Sequence, residues 1–257
     1  MWVAVIVQIA IPAFLIFVVA KTRQPSRLRW LVTFIAFGMV ITYLLLSARW
    51  DISSLYLRAV IPVAFVVASV MGYRRIQQSD ATGKVQAAVY WVTTSGVIVL
   101  MSGFLWFSIR GTLMPDEAVD LAPPLKGTNV VLSGGSSPFT NAHFRVRPQS
   151  FALDLVGLNF LGSRASPFGG RGDLESYVIY GAPVYSPCDG KVSAIVDTLP
   201  DYSPPDRDPE NPAGNHVLIE CNDIEVLLAH LQESSVTVTV GERVTTGALL
   251  GRVGNSG

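Results

Sequence analysis

Val85 to Ile109 reads VQAAVYWVTTSGVIVLMSGFLWFSI, an unbroken stretch without a charged side chain. A helix crosses a bilayer core with roughly 20 apolar residues, so this stretch predicts a transmembrane span. Three upstream stretches meet the same length criterion. Met1–Ala20 and Trp30–Ala48 are uncharged, and Ser53–Tyr73 carries only Arg58. A cleaved signal peptide is the competing reading of Met1–Ala20, but that stretch lacks a basic leader and three spans follow it. Arg58 lies within two turns of a span boundary, where a long side chain reaches the interface; the alternative is a functional intramembrane charge. Trp2, Trp30, Trp50 and Trp106 fall near span ends, as interfacial aromatics do.

The rest of the chain differs in kind. Of 257 residues, 50% are hydrophobic and 15% charged, with a formal net charge of zero. Mean hydropathy is +0.42. Residues 1–110 hold ten Lys/Arg against two Asp, and residues 111–257 hold nine against seventeen Asp/Glu, so the halves carry +8 and −8. Two domains of different solvent class follow: a four-helix transmembrane domain over 1–110, a linker over 111–127 containing Pro115, Pro123 and Pro124, and a β domain over 128–257. The composition excludes a disordered chain, a collagen-like chain and a disulfide-dense miniprotein. The acidic polar half offers no basic stripe for phosphates, so no nucleic-acid partner is expected.

Loop charges set the orientation. Lys21, Arg23, Arg27 and Arg29 lie between the first two stretches, and Arg74, Arg75 and Lys84 between the last two. These belong on the cytoplasmic side. Both termini and the β domain are then expected to be extracytoplasmic, in a multi-pass membrane protein with the lipid bilayer as one partner.

After the linker, short apolar runs are punctuated by Gly, Pro, Asn and Asp. Strands are expected at Asn129–Ser133, Ala142–Arg147, Phe151–Val156, Lys191–Asp197, His216–Cys221, Glu225–His230 and Val236–Val240. Asp201–Gly214, DYSPPDRDPENPAG, reads as a solvated excursion between strands. The glycine rhythm of VTVTVGERVTTGALLGRVG suits an all-β antiparallel sheet or barrel-sandwich hybrid.

The chain has three histidines: His143, His216 and His230. If Pro148-Gln149 centres a hairpin, Arg147 faces Ser150, Arg145 faces Ala152 and His143 faces Asp154. Directly opposed residues have Cβ atoms roughly 4.5–5.5 Å apart, close enough for imidazole and carboxylate to share a zinc ion. A plain His–Asp ion pair or hydrogen bond is the alternative. His230 closes the apolar run Val226–Leu231 and reads as either a packed or a catalytic histidine, and His216 as a turn-flanking one. Cys188 and Cys221 both fall in the expected oxidising compartment, and a disulfide between them is expected. Such a bridge would contribute roughly 3–4 kcal/mol by restricting the unfolded chain. A cysteine-ligated metal is the weaker reading because the pair has no close spacing.

Several motifs occur in a telling order. Asp154-Leu155 is followed by Gly181-Ala-Pro-Val-Tyr-Ser-Pro-Cys-Asp-Gly-Lys-Val192 and by Gly214-Asn-His-Val-Leu-Ile-Glu220. Then come Leu228-Ala-His-Leu231, Val240-Gly-Glu-Arg-Val244 and Gly247-Ala-Leu-Leu-Gly-Arg-Val-Gly-Asn-Ser-Gly257. The order resembles the LytM/lysostaphin-type zinc metallopeptidases over residues 128–257. The resemblance implies a one-zinc endopeptidase of duplicated-hybrid-motif fold, acting on peptide cross-links of peptidoglycan. It assigns Asp154 as a zinc ligand and His230 as a catalytic residue. The family's His-x-x-x-Asp pair has Ser150 at its histidine position here, and His143 is expected to replace that ligand. The family continues past Gly-Asn-Ser-Gly into a His-x-His motif supplying the remaining ligand and a catalytic histidine; this chain stops at Gly257, and a longer gene product is expected. The alternative function is a non-catalytic relative that binds cell-wall peptide, glycan or a partner protein.

Overall fold

The computed structural model describes residue 3 and residues 6–77, 83–113, 118–147, 149–170 and 172–257. The chain divides into two compact units. The first comprises Met1–Met114, Val131–Leu155 and Leu161–Ser163; the second comprises Pro115–Val130, Val156–Phe160 and Arg164–Gly257. These boundaries differ from the expected ones at 110 and 128. Strand β1 (Asn129–Ser133) pairs with β2 (Asp154–Gly157) in a two-stranded sheet.

The first unit is built on helices. A π-helical turn, Ile6–Ala10, leads into α1 (Ile11–Lys21). Then follow α2 (Arg27–Ser47), α3 (Trp50–Ser53), α4 (Leu57–Tyr73) and α5 (Lys84–Thr112). Ser26 caps α2, its hydroxyl accepting from the Arg29 amide at 3.2 Å. Two helices, α2 and α5, are long and apolar enough to cross a membrane, whereas Ile6–Lys21 and α4 are shorter apolar helices. The stretch expected as one span from Ser53 to Tyr73 is broken at Ser54. There the hydroxyl accepts from the Tyr56 amide at 3.2 Å, giving the backbone an alternative to helix.

Leu15, Val19, Ile41, Trp50, Ile61 and Phe65 form the buried cluster of this unit. Trp30 stacks on Phe34, and Phe34 on Phe65, with centroids 5.5 and 5.4 Å apart. The Trp30 indole donates to the Ser69 carbonyl at 3.1 Å. Trp50, expected at an interface, is instead a core side chain 4% exposed, its N–H donating to the Leu44 carbonyl at 3.1 Å. Burial favours it because the large ring loses apolar exposure and its one donor still finds a carbonyl. Helix α5 is the opposite case: among its described side chains only Ser108 and Gly111 are buried, while Val85, Val92 and Val99 are more than 70% exposed.

The second unit carries β3 (Pro183–Tyr185), β4 (Gly190–Val196), β5 (Asn215–Cys221), β6 (Ile224–Leu231), β7 (Arg243–Val244) and β8 (Leu249–Arg252). An antiparallel four-stranded sheet runs β6-β5-β4-β7, and β3 pairs antiparallel with β8. Strand β5 is central. Its alternate residues Asn215, Val217, Ile219 and Cys221 are buried, because successive side chains point to opposite faces. They join Val184, Val192, Leu231, Val238, Val244 and Leu250 in the core. Asn222, at φ 54°, begins the two-residue turn from β5 to β6.

Three expected strands are corrected. Ala142–Arg147 forms turns, and the expected strand Phe151–Val156 is a 3-10 turn over Gln149–Phe151 followed by β2. Pro148, half of the expected hairpin centre, lies outside the described residues, as do Trp2 and Pro115. Val236–Val240 makes no ladder. Carboxylates take the amides a ladder would use: Asp197 accepts from Ser235 and Val236 at 3.1 and 3.3 Å, and Glu242 from Thr239 at 2.9 Å. Asp201–Gly214 is free of regular structure, as read from the sequence. The linker segment is bonded along β3, with Tyr185 donating to the Pro124 carbonyl at 2.8 Å.

Helices α1 and α4 touch through Gly72, where an added Cβ would stand 2.4 Å from the Val19 carbonyl oxygen. In Gly96 of α5 an added Cβ meets nothing within 4 Å. Gly to Ala in a helix ordinarily stabilises by roughly 0.5–1 kcal/mol. Gly72→Ala is expected to reverse that sign and cost about 1–3 kcal/mol by overpacking, and Gly96→Ala to be neutral or stabilising. Thermal unfolding of the two variants in one detergent checks the contrast.

Asp189 accepts from the Thr246 amide at 2.6 Å and hydroxyl at 2.9 Å. These two hydrogen bonds hold its carboxyl below the usual carboxylate range. A depressed folded value contributes stability above the ordinary carboxylate range that is lost as pH falls through the folded value. Asp189→Asn is expected to flatten the acid limb of the unfolding midpoint against pH, measured below pH of about 4.

Candidate functional site

In the first unit the expected pair meets, though not through a hairpin. His143 Nε2 lies 3.1 Å from Asp154 Oδ1. The side chains are 33% and 42% exposed, so a ligand can reach both. Asp154 opens β2, and His143 sits in a turn closed by the Val146 amide on the His143 carbonyl at 2.8 Å. Asn141, 1% exposed, holds that turn in place. Its amide donates to the Gly135 and Ser150 carbonyls at 3.0 and 2.9 Å, and its oxygen accepts from the His143 amide at 2.8 Å. Ser133 adds a hydroxyl that accepts from the Ala142 amide at 2.9 Å. Ser150 itself contributes its backbone carbonyl.

The other ring nitrogen, Nδ1, is 3.0 Å from Gln149 Oε1. A neutral imidazole has one donor and one acceptor. If Nδ1–H donates to Gln149, either Nε2 also carries a proton and the imidazolium pairs with Asp154, or the Nε2 lone pair and the carboxylate face a shared cation. If the Gln149 amide is turned to donate instead, Nε2–H donates to Asp154. The first arrangement is the usual one for a metal-binding histidine, whose far nitrogen is anchored by an outer acceptor. Two donors bound to one tetrahedral zinc at about 2.0–2.2 Å stand a little over 3 Å apart, so the spacing and donor chemistry fit two positions of a zinc shell. Among the described residues no cluster of three or more His, Cys, Asp or Glu forms. A catalytic zinc takes three protein ligands, so the described donors fill two.

His230 lies in the second unit, near the end of β6. The register changes there: Asn215 faces Leu231, and Val217 faces Leu228. Ala229 and His230 therefore oppose the single residue His216, a bulge that re-aims a side chain. His230 takes φ 59°, a left-handed conformation rare for a residue with Cβ. Surrounding bonds hold it. Its amide donates to the Ala213 carbonyl at 3.0 Å, and its carbonyl accepts from Gly254 at 2.9 Å. Its Nδ1 donates to the Ser256 carbonyl at 2.7 Å. A carbonyl only accepts, so in the neutral ring Nε2 keeps its lone pair. His216 Nδ1 lies 2.8 Å from the Gly214 carbonyl, a turn contact.

Several residues that build this setting were given no role of their own in the sequence reading, though Gly214, Asn215 and Ser256 lie in its quoted motifs. Buried Asn215 donates to the Leu199 and Leu231 carbonyls at 2.7 and 3.2 Å, and its own amide donates to Ser256 Oγ at 2.9 Å. Gly214 lies so close to Ser256 that an added Cβ would stand 2.0 Å from its carbonyl oxygen. Tyr180 donates to Asp201 at 3.0 Å and accepts from Gln232 at 3.2 Å. Burial, with the Asp201 carboxylate beside it, pushes the Tyr180 phenol up. Asp201 in turn accepts from the Asn255 amide at 2.7 Å. The signal that could have found these residues is the repetition of Gly-Asn in Gly214-Asn215 and Gly254-Asn255. Cys188 and Cys221 are joined in this unit, with Cα atoms 6.0 Å apart.

Residues 176–257 match the model of Peptidase family M23. His230 lies inside that match; His143 and Asp154 precede it. Two crystal forms of Helicobacter pylori Csd3 are similar at 19% and 21% identity over 52% of this chain, with TM-scores of 0.28 and 0.27. A Pseudomonas aeruginosa candidate of peptidase M23 is similar at 18% identity over 61% of this chain and 47% of its own, with a TM-score of 0.26. The chain spans about a quarter of the length of the Csd3 structures, 26% and 28%. No curated protein matches.

Asn141→Ala is expected to leave the Gly135 and Ser150 carbonyls and the His143 amide without their partner, and to cost about 1–3 kcal/mol. Chemical denaturation checks the cost, and a displaced or broadened His143 imidazole resonance checks the loss of placement.

Proposed function

We propose that the protein is a membrane-anchored zinc metallopeptidase that hydrolyses peptide bonds of peptidoglycan on the outer side of a bacterial cell membrane. The M23 match at residues 176–257, with His230 inside it, carries the reading. His143 and Asp154 contribute two zinc ligands, supported by their 3.1 Å separation and by Gln149 at the far imidazole nitrogen. The remaining ligand is the one the family takes from its His-x-His motif. When bound, zinc supplies an activated water and polarises the scissile carbonyl. His230 accepts or returns a proton at Nε2, the nitrogen left unoccupied by its bond to Ser256.

Four apolar helices anchor the protein, with the seven Lys/Arg of the two basic loops in the cytoplasm. The exposed apolar surface of α5 supports this part, because a patch of that size in water would drive association. A second reading, a peptidase-like domain that binds cell-wall peptide or a partner without cleaving it, is favoured by one observation: Ser150 stands where the family's His-x-x-x-Asp pair has its histidine.

The test uses the full-length gene product in membranes. Wild type is expected to retain one zinc and to release muropeptides from purified sacculi. His143→Ala and Asp154→Ala are expected to lose zinc at least about tenfold more readily. His230→Asn, which tolerates a left-handed backbone, is expected to keep zinc and fold while turnover falls about 10²–10⁴-fold. Zinc-free wild type that still binds sacculi without releasing muropeptides would support the binding reading instead.

A further inference from the structure

At one end of the first unit the α1–α2 loop and the C-terminus of α4 flank an open concavity of about 530 Å³, lined by Arg23, Arg74, Arg75, Ile76 and Gln77. Three guanidinium-bearing side chains share one concave surface. Two are positioned by neutral acceptors: Arg23 donates to Gln77 Oε1 at 3.3 Å and Arg75 to the Ala20 carbonyl at 3.2 Å. The Gln77 amide closes the wall by donating to the Gln24 carbonyl at 3.1 Å. The ion pairs Arg49–Asp51 and His143–Asp154 do not involve this cluster. Three cations held together without a described carboxylate form a site for an anion, and guanidinium forks match phosphate oxygens in pairs.

The surface leading away from the cavity states which phosphate. One helical turn before Arg74 and Arg75 stand Val70 and Met71, 46% and 45% exposed. The same face of α4 continues through Val67 and Val63, 54% and 65% exposed, since residues three and four apart lie above one another. A free phosphate ion has no use for that stripe. An amphiphile with an anionic head and apolar tails matches both parts. We propose that this cavity binds the phosphate headgroup of an anionic phospholipid, with its acyl chains lying along the Val63–Met71 face of α4. The proposal rests on the membrane reading above and adds a specific lipid class and site to it. Basic pockets between helices at the cytoplasmic boundary bind such headgroups by the same chemistry.

The experiment uses the full-length protein extracted into mixed micelles of phosphatidylglycerol and phosphatidylcholine, with retained lipid counted by native mass spectrometry. Wild type is expected to retain phosphatidylglycerol over phosphatidylcholine by roughly tenfold or more, at about fivefold per engaged charge. The triple variant R23Q/R74Q/R75Q is expected to bring that ratio close to one. R23K/R74K/R75K keeps the charge, loses the forks and is expected to fall between; it also serves if the Gln variant fails to assemble. K21Q/R27Q/K84Q removes three charges outside the cavity and is expected to leave the ratio unchanged.

Equal retention of the two lipids by wild type, or an equal loss in K21Q/R27Q/K84Q, would overturn the site. Inorganic phosphate protecting wild type from thermal unfolding as well as phosphatidylglycerol does would overturn the lipid and leave a phosphate site. Carbonate washing of membranes, run on the same samples, separates the two layers of the argument. Protein released by the wash defeats the membrane reading, whereas protein retained with no lipid preference defeats only the headgroup site.

Discussion

A carboxylate oxygen and an imidazole nitrogen 3.1 Å apart define what the first unit offers chemically. The contact is made by side chains on irregular backbone, so its placement depends on what holds that backbone. Asn141 does this by bonding main-chain groups at Gly135, His143 and Ser150 through both its donors and its oxygen. A buried amide bonded in this way is stiff because an alternative conformation leaves polar groups unpaired. His143 thus reaches the solvent-accessible rim with its ring oriented at both nitrogens.

The second unit solves a similar problem with a strand. A regular β6 would send His230 to a face dictated by the two-residue period. The bulge breaks that period at one residue, and the left-handed backbone is tolerated because three hydrogen bonds surround it. The Ser256 carbonyl is central to this. It fixes the imidazole tautomer, and Ser256 Oγ accepts from Asn215 while donating to the Leu231 carbonyl at 2.6 Å. Two Gly-Asn motifs far apart in the chain become one support because Gly214 leaves room for Ser256.

The helical unit follows a different constraint. Several of its buried polar side chains are bonded to one another, while much apolar surface remains outside. Asp51, 2% exposed, receives two bonds from the Arg49 guanidinium at 3.0 Å each, and Ser53 donates to Gln8 at 2.7 Å. Asp51 is thus buried with its charge paired, beside an apolar core of Leu15, Val19, Ile41, Trp50, Ile61 and Phe65.

Hydropathy and charge alone determined much: apolar stretches that form helices, a charge split near residue 110, and four of the β-domain strands to within a residue or two. Period-two burial in β5 was legible because one face of a sheet is chosen by hydrophobicity. The proximity of His143 to Asp154 was anticipated from a hairpin that the chain does not form. Tertiary contacts decided the rest. Turn hydrogen bonds to Asn141 and Ser133 replaced a ladder, carboxylates of Asp197 and Glu242 took the amides of Val236 and Thr239, and Ser54 interrupted an apparent span. Each outcome depends on a polar side chain, near or distant in sequence, competing for the same amide. Local pattern does not reveal that competition, because its winner is set by which groups the folded chain brings within about 3 Å.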